Sequence, residues 1–233
     1  MKIFYHILQK LFAPIRCIVC WLWWSYLCSE HEKYLLWYPT CCWYCINPTT
    51  HTQNCNEHQS YNTTWLSGLV VWFYYTNLVT YMIHKAKYWW SYHLFSYFAK
   101  KLALLIQTHI EPLHKPIIIT YIPMYYKKEL YQRWYNQAQK LAEYLSVELN
   151  VSCTHLLKKT QSTVAQMKKT RKDRQKKTKD LYEIIPAYIP INTIILVIDD
   201  VITTWSTIST ASQVLKSYFP DNVIRWVCIA RNS

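Results

Sequence analysis

Apolar residues along this chain fall into two kinds of run, and the two alternate. Leu69–Tyr74, Pro116–Ile122, Thr193–Ile198 and Asn222–Ile229 are short, largely apolar stretches of strand length, rich in Ile and Val. Between them lie longer segments with a helical period. Tyr92–Thr108 places Leu94, Phe95, Phe98, Leu102, Leu105 and Ile106 on one face. Glu129–Leu149 repeats the pattern, and so does Thr207–Tyr218. Strands without polar alternation are apolar on both faces, as in a sheet covered twice. Residues 66–233 are therefore expected to form an α/β domain, a mainly parallel sheet with helices on both faces.

Residues 1–65 read differently. Met1–Pro14 mixes Lys2, His6, Gln9 and Lys10 into an apolar run and suggests a short amphipathic helix. Ile15–Leu27 is the most apolar stretch nearby, but it is too short to span a bilayer and contains Arg16, Cys17 and Cys20. Neither segment has the clean apolar core of a secretory signal. No membrane span is expected, and the cytoplasm is the expected location.

Six of the chain's nine cysteines, all in this region, fall into a repeated pattern. Cys17, Cys20, Cys28 and His31 read C-x2-C-x7-C-x2-H. Cys42, Cys45, Cys55 and His58 read C-x2-C-x9-C-x2-H. Each set offers three thiolates and one imidazole, the ligand number and softness suited to tetrahedral zinc. A two-residue spacer lets a tight knuckle aim two side chains at one ion. Four ligands leave no open position, so one or two structural Zn2+ ions are expected in a small zinc-ribbon-like module. The ligands can pair sequentially or in a cross-braced way. Disulfides are disfavoured without a secretion signal. Cys41, Cys153 and Cys228 lie outside the pattern.

The formal net charge is +13, which favours an anionic partner: a phosphorylated metabolite, nucleic acid or an acidic protein face. Lys158–Lys179 concentrates ten Lys or Arg against one acid, Asp173. Such a segment can close over diphosphate or follow a nucleic-acid backbone, or it can simply be a solvated flap.

The most specific chemistry lies at Ile194–Ile208, IILVIDDVITTWSTI. An apolar strand that stops at Asp199 and Asp200 is poorly explained by packing, because an unpaired charge there is costly. In sheets of this kind ligands bind at the carboxyl ends of strands. The hydroxyl-rich turn that follows opens a helix, whose first N–H groups suit phosphate.

This segment resembles the signature of type I phosphoribosyltransferases: an apolar strand, Asp-Asp, two residues, then Thr-Thr-Gly-x-Thr. The resemblance implies that Asp199 and Asp200 hold the ribose hydroxyls of phosphoribosyl diphosphate with Mg2+. Thr203, Thr204, Trp205, Ser206 and Thr207 would form the loop around its 5′-phosphate. Other stretches narrow the resemblance to the ComF family. Pro123–Gln137 is similar to that family's proline, basic stretch and Arg-Gly-x-Asn-Gln, matched by Arg133, Asn136 and Gln137. His84 and Lys87, followed by Tyr88, resemble a family segment ending in Lys-Tyr. Gln166 and Arg174 match its basic loop, where Lys177 departs from the usual Asn. The metal-ligand pairs match its N-terminal module, with His31 and His58 replacing two cysteines. The resemblance thus covers nearly the whole chain.

Two counts are abnormal. The chain has one Gly and 12 Trp, whereas average usage would give roughly 16 Gly. Trp205 and Trp134 stand at glycines of the two family motifs. Trp21 follows a cysteine knuckle, and Trp89 or Trp90 falls at a family turn. The two counts read as one observation: UGA codons that mean glycine in some bacterial lineages, translated as tryptophan. The abundance of Lys, Ile, Tyr, Asn and Thr fits an AT-rich gene.

Two functions follow from the resemblance. One is a phosphoribosyltransferase in which Asp199, Asp200 and Arg133 act on phosphoribosyl diphosphate and an acceptor. There Arg133 and the Lys168–Lys179 stretch would neutralise the diphosphate. The other is a non-catalytic competence factor that binds incoming single-stranded DNA beside a helicase-like partner.

Overall fold

A computed structural model describes residues 16–21, 25–35, 69–87, 92–110, 115–125, 135–160, 181–203 and 205–231. In chain order the elements are α1 (Ser29–Glu32), β1 (Leu69–Tyr74), α2 (Asn77–Ala86), α3 (Leu94–Ile110), β2 (Ile117–Tyr121), α4 (Gln137–Leu149), β3 (Ser152–Cys153), β4 (Leu157–Lys159), β5 (Tyr182–Ile184), β6 (Ile194–Ile202), α5 (Trp205–Tyr218) and β7 (Val223–Arg231). The expected α/β class holds.

Five strands form one sheet in the order β1-β7-β6-β2-β3, and every neighbouring pair is parallel. β6 lies at the centre and explains its own sequence. Ile194, Leu196 and Ile198 face the core shared with α2, α3 and α4. Ile195 and Val197 face the opposite core, under α5 and the β4–β5 pair. With both faces covered, no polar residue is tolerated until the strand nears its carboxyl end.

The helix ends follow local chemistry. Asn136 takes an extended conformation, and its side-chain oxygen accepts from the N–H groups of Ala138 and Gln139. That cap sets the start of α4 at Gln137, not at Glu129; residues 126–134 lie outside the described set. At the other end Asn150 takes a left-handed conformation (φ 53°), and its N–H reaches the carbonyls of Ser146 and Val147. α2 was not expected from periodicity. Thr76 caps it, its hydroxyl accepting from the N–H of Val79. α5 is tied to the sheet by Trp226, whose indole N–H donates to Ser212 Oγ at 2.7 Å, with both side chains fully buried.

β4 and β5 form a separate antiparallel pair. They bracket residues 161–180, so Lys158 and Lys159, expected within a basic loop, belong to a strand. The rest of that basic stretch lies outside the described residues.

The described part of the N-terminal segment shares the α3–α4 core. Cys17, Leu27 and Leu35 are buried there. Glu32, the last residue of α1, pairs with Lys101 and accepts a hydrogen bond from the Tyr97 hydroxyl at 3.2 Å, both on α3. Among the described residues no helix is long and apolar enough to cross a membrane. The amphipathic helix expected over Met1–Pro14 lies outside them.

Candidate functional site

Two clusters of chemically capable side chains emerge. The first is the cysteine knuckle. The ligand atoms of Cys17, Cys20, Cys28 and His31 all lie within 4.8 Å of one another. Cys20 Sγ and Cys28 Sγ are 3.7 Å apart. His31 Nδ1 is 3.7 Å from Cys17 Sγ and 3.1 Å from Cys28 Sγ. Tetrahedral zinc with ordinary bond lengths requires about 3.8 Å between sulfurs and about 3.6 Å between sulfur and nitrogen. The donors are thus spaced for a metal ion such as zinc.

The backbone makes this possible. The N–H of Trp21 bonds to the Cys17 carbonyl, that of Ile18 to the Tyr26 carbonyl, and that of Glu32 to the Cys28 carbonyl. For Cys17, burial raises the thiol pKa, but backbone hydrogen bonds from Cys20, Cys28 and Val19 outweigh it. The net result is a thiol lowered to about 6, in favour of the thiolate a metal needs. The turn carries one cost: Trp21 has φ 63° and is 69% exposed. The second set, Cys42, Cys45, Cys55 and His58, lies outside the described residues.

The second cluster surrounds Asp199 and Asp200. The strand was expected to stop at Ile198, but it runs on to Ile202 because Val201 and Ile202 continue the ladder with Ala230 and Arg231 of β7. The acids therefore lie inside the carboxyl-terminal part of β6, and only two residues separate that strand from α5. Each acid folds back onto the main chain. Asp199 Oδ1 accepts from the N–H of Asp200, and Asp200 Oδ1 accepts from the N–H of Val201, each at 2.9 Å.

Successive strand residues point to opposite faces, so the two acids meet different layers. Asp200 meets Lys87, the residue that ends α2, at 3.7 Å from Nζ to Oδ2. Asp199 feels the β4–β5 pair instead. Burial and then the neighbouring Asp200 push its carboxyl well above the usual range, with Lys159 opposing. Tyr182 is 3% exposed, and its hydroxyl has no hydrogen-bond partner among the described residues. Burial, then the charge of Asp199, raises its pKa. Lys159 sits opposite Tyr182 in the strand pair, with Nζ 5.7 Å from the ring centre. One acid is thus biased toward its neutral form, and the other has a cation as partner.

Thr203 is exposed beyond the strand. Trp205 and Ser206 open α5 and Thr207 follows, with the Trp205 side chain packed partly against the α5-side core. Thr204 and Arg133 lie outside the described residues. Asn136 proves structural, since besides capping α4 its Nδ2 donates to the Ile122 carbonyl at 3.0 Å. It thereby ties the end of β2 to the next helix. Pattern reading singled out neither Lys159, seen only as part of a charge run, nor Tyr182, which carries no signal in sequence. Lys87 entered through resemblance alone.

No family model matches the chain. A solved structure, the AQ2163 protein from Aquifex aeolicus, overlays with a TM-score of 0.38 at 9% identity, covering 71% of this chain and 89% of that one. Among curated proteins, Competence protein F of Haemophilus influenzae is 26% identical over 207 residues, 86% of this chain and 88% of the relative. That match runs nearly end to end and supports the resemblance to the ComF family drawn from the cysteine pattern and the paired acids.

Proposed function

We propose that this protein binds phosphoribosyl diphosphate with Mg2+ at the carboxyl edge of the sheet and transfers its phosphoribosyl group to an acceptor. The observation behind this reading is the acid pair in the central strand, followed within a few residues by the start of α5. Asp200, the acid with a cationic partner, is an acceptor for ribose hydroxyls and a hard oxygen ligand of the kind Mg2+ takes. Asp199, biased toward its neutral form, can donate to a ribose oxygen. The N–H groups that open α5, beside Thr203, Ser206 and Thr207, suit the 5′-phosphate. Mg2+ would supply charge neutralisation for the diphosphate. The chain itself would supply position and fixed charge, with Arg133 and the basic stretch near the leaving group.

Titration calorimetry with phosphoribosyl diphosphate and Mg2+ tests this. Asp200→Asn is expected to weaken binding about 10- to 100-fold, the worth of a charged hydrogen bond. Binding by the variant equal to that of the parent protein refutes the site.

A second reading follows from the relative's name, Competence protein F. In it the chain is a cytoplasmic competence factor that handles single-stranded DNA beside a helicase-like partner, and the knuckle holds structural zinc. The net charge of +13 favours it. A single-strand affinity that falls steeply with salt supports this reading, and a salt-independent affinity counts against it.

We further propose that residues 21 and 205 are glycine in the protein as its cell makes it. The described non-glycine residues with positive φ are Trp21, Asn150 and Asn192. Asn visits that region readily, whereas a bulky residue there is an outlier costing roughly 1–2 kcal/mol. Glycine at 205 would also open the approach to a phosphate at the start of α5. Peptide mass spectrometry on protein from the native host decides the matter, and tryptophan at both positions overturns it.

A further inference from the structure

We infer that Lys87 is a ligand-binding residue of the acid-pair site: it neutralises Asp200 while the site is empty and takes the diphosphate of a bound phosphoribosyl diphosphate. This rests on the binding reading above and adds a residue to it.

The main chain at Lys87 is held from two sides. Its N–H bonds to the carbonyls of Ile83 and His84, closing α2. The preceding carbonyl, that of Ala86, accepts from the Tyr135 hydroxyl, in the segment that leads into α4. α2 itself is anchored in the core by Val79, Met82, Ile83 and Ala86. The Cα is thus fixed, and its place at a helix carboxyl end favours a cation. The side chain is less constrained. Its Nζ stands 3.7 Å from Asp200 Oδ2, beyond hydrogen-bond length, although the two side chains are only 22% and 17% exposed.

A half-buried ammonium at this distance neutralises without being locked. A ligand whose hydroxyls, with a divalent cation, occupy the Asp200 oxygens removes the attraction that keeps Lys87 there. A second cation at the same carboxylate also repels the ammonium. The four-carbon stem lets the ammonium swing by a few Å while the helix stays fixed. The ligand class this arrangement suits is a polyanion joined to a vicinal diol. The acid takes the diol end, and the released lysine takes the anionic end.

The test is calorimetric titration of the full chain, with Mg2+, against phosphoribosyl diphosphate and against ribose 5-phosphate, which has the diol but no diphosphate. Lys87→Met is expected to weaken phosphoribosyl diphosphate about 10- to 100-fold, with ribose 5-phosphate affinity changed by no more than about threefold. Lys87→Arg should restore most of the loss. Equal losses for both ligands overturn the inference, because they make Lys87 only an organiser of Asp200. An unchanged affinity for phosphoribosyl diphosphate overturns it as well. If the parent protein binds neither ligand, the site reading itself falls and the inference with it. Should Lys87→Met not fold, as read by its melting curve, Lys87→Gln supplies the same comparison.

Discussion

Removing a metal ion held by Cys17, Cys20, Cys28 and His31, a group that could hold one, is expected to destabilise the whole chain, not the knuckle alone. Leu27 and Leu35, within and just after the ligand set, are buried in the core that α3 and α4 share with the sheet. Cys17, one of the four candidate ligands, is buried in the same place. Without the ion, nothing ties the four ligand side chains together and the knuckle opens. Returning two leucines to water costs about 3–6 kcal/mol. The Glu32–Lys101 pair adds little, because both side chains are about a quarter exposed or more and such pairs contribute about 0–1 kcal/mol. In a chain of this length each kcal/mol moves Tm by about 2–4 °C, so the drop is on the order of 10 °C. Differential scanning calorimetry of metal-loaded and chelator-treated protein measures it, with the metal content checked in each sample. Cys28→Ser should reproduce the drop without chelator. A metal-free sample that melts within about 2 °C of the loaded one refutes the reasoning, since a shift of a few kcal/mol must exceed that.

Three further outcomes follow. Asn136→Ala removes the α4 cap and the tie to Ile122 together, and should cost about 1–2 kcal/mol in urea denaturation, whereas a loss near zero means that water replaces both bonds. Trp226→Phe leaves the Ser212 hydroxyl buried without its donor, and an expected loss of about 1–3 kcal/mol is checked by the same method; Trp226→Phe with Ser212→Ala should recover part of it. The carboxyl of Asp199 is raised above its ordinary 3.8. The folded state therefore binds more protons than the unfolded one from about that pH up to the raised value, and stability falls as pH rises through the window. Asp199→Asn should then be more stable than the parent at neutral pH, with a gain that fades below the usual carboxylate range. A gain that is the same at every pH, or absent throughout, refutes the assignment.

Much of the fold was legible because two-sided burial leaves a mark in sequence. Leu69–Tyr74 matches β1 residue for residue, and the runs at Pro116, Thr193 and Asn222 each mark a strand of the sheet. The misses have local causes. α2 does carry an apolar stripe, Val79, Met82, Ile83 and Ala86, but it spans only ten residues, directly after the strand run at Leu69–Tyr74, and it was not singled out. β3 spans two residues, too few to show any period. β6 outran its apolar run because both acids fold back onto main-chain N–H groups and β7 continues the ladder beyond them.

The ligand spacing of Cys17, Cys20, Cys28 and His31, the adjacent acids and the class of fold were all determined by sequence alone. Each depends on neighbours along the chain: a knuckle, a strand end, a period. Strand order, with β7 between β1 and β6, belonged to the tertiary structure, because parallel pairing is set by packing between distant segments. The same holds for what meets each acid. Lys87 reaches Asp200 from the end of α2, and Tyr182 and Lys159 bear on Asp199 from a strand pair across the sheet. Two identical side chains side by side in sequence acquire opposite surroundings because a strand turns successive residues to opposite faces, and only the folded layers decide what waits on each.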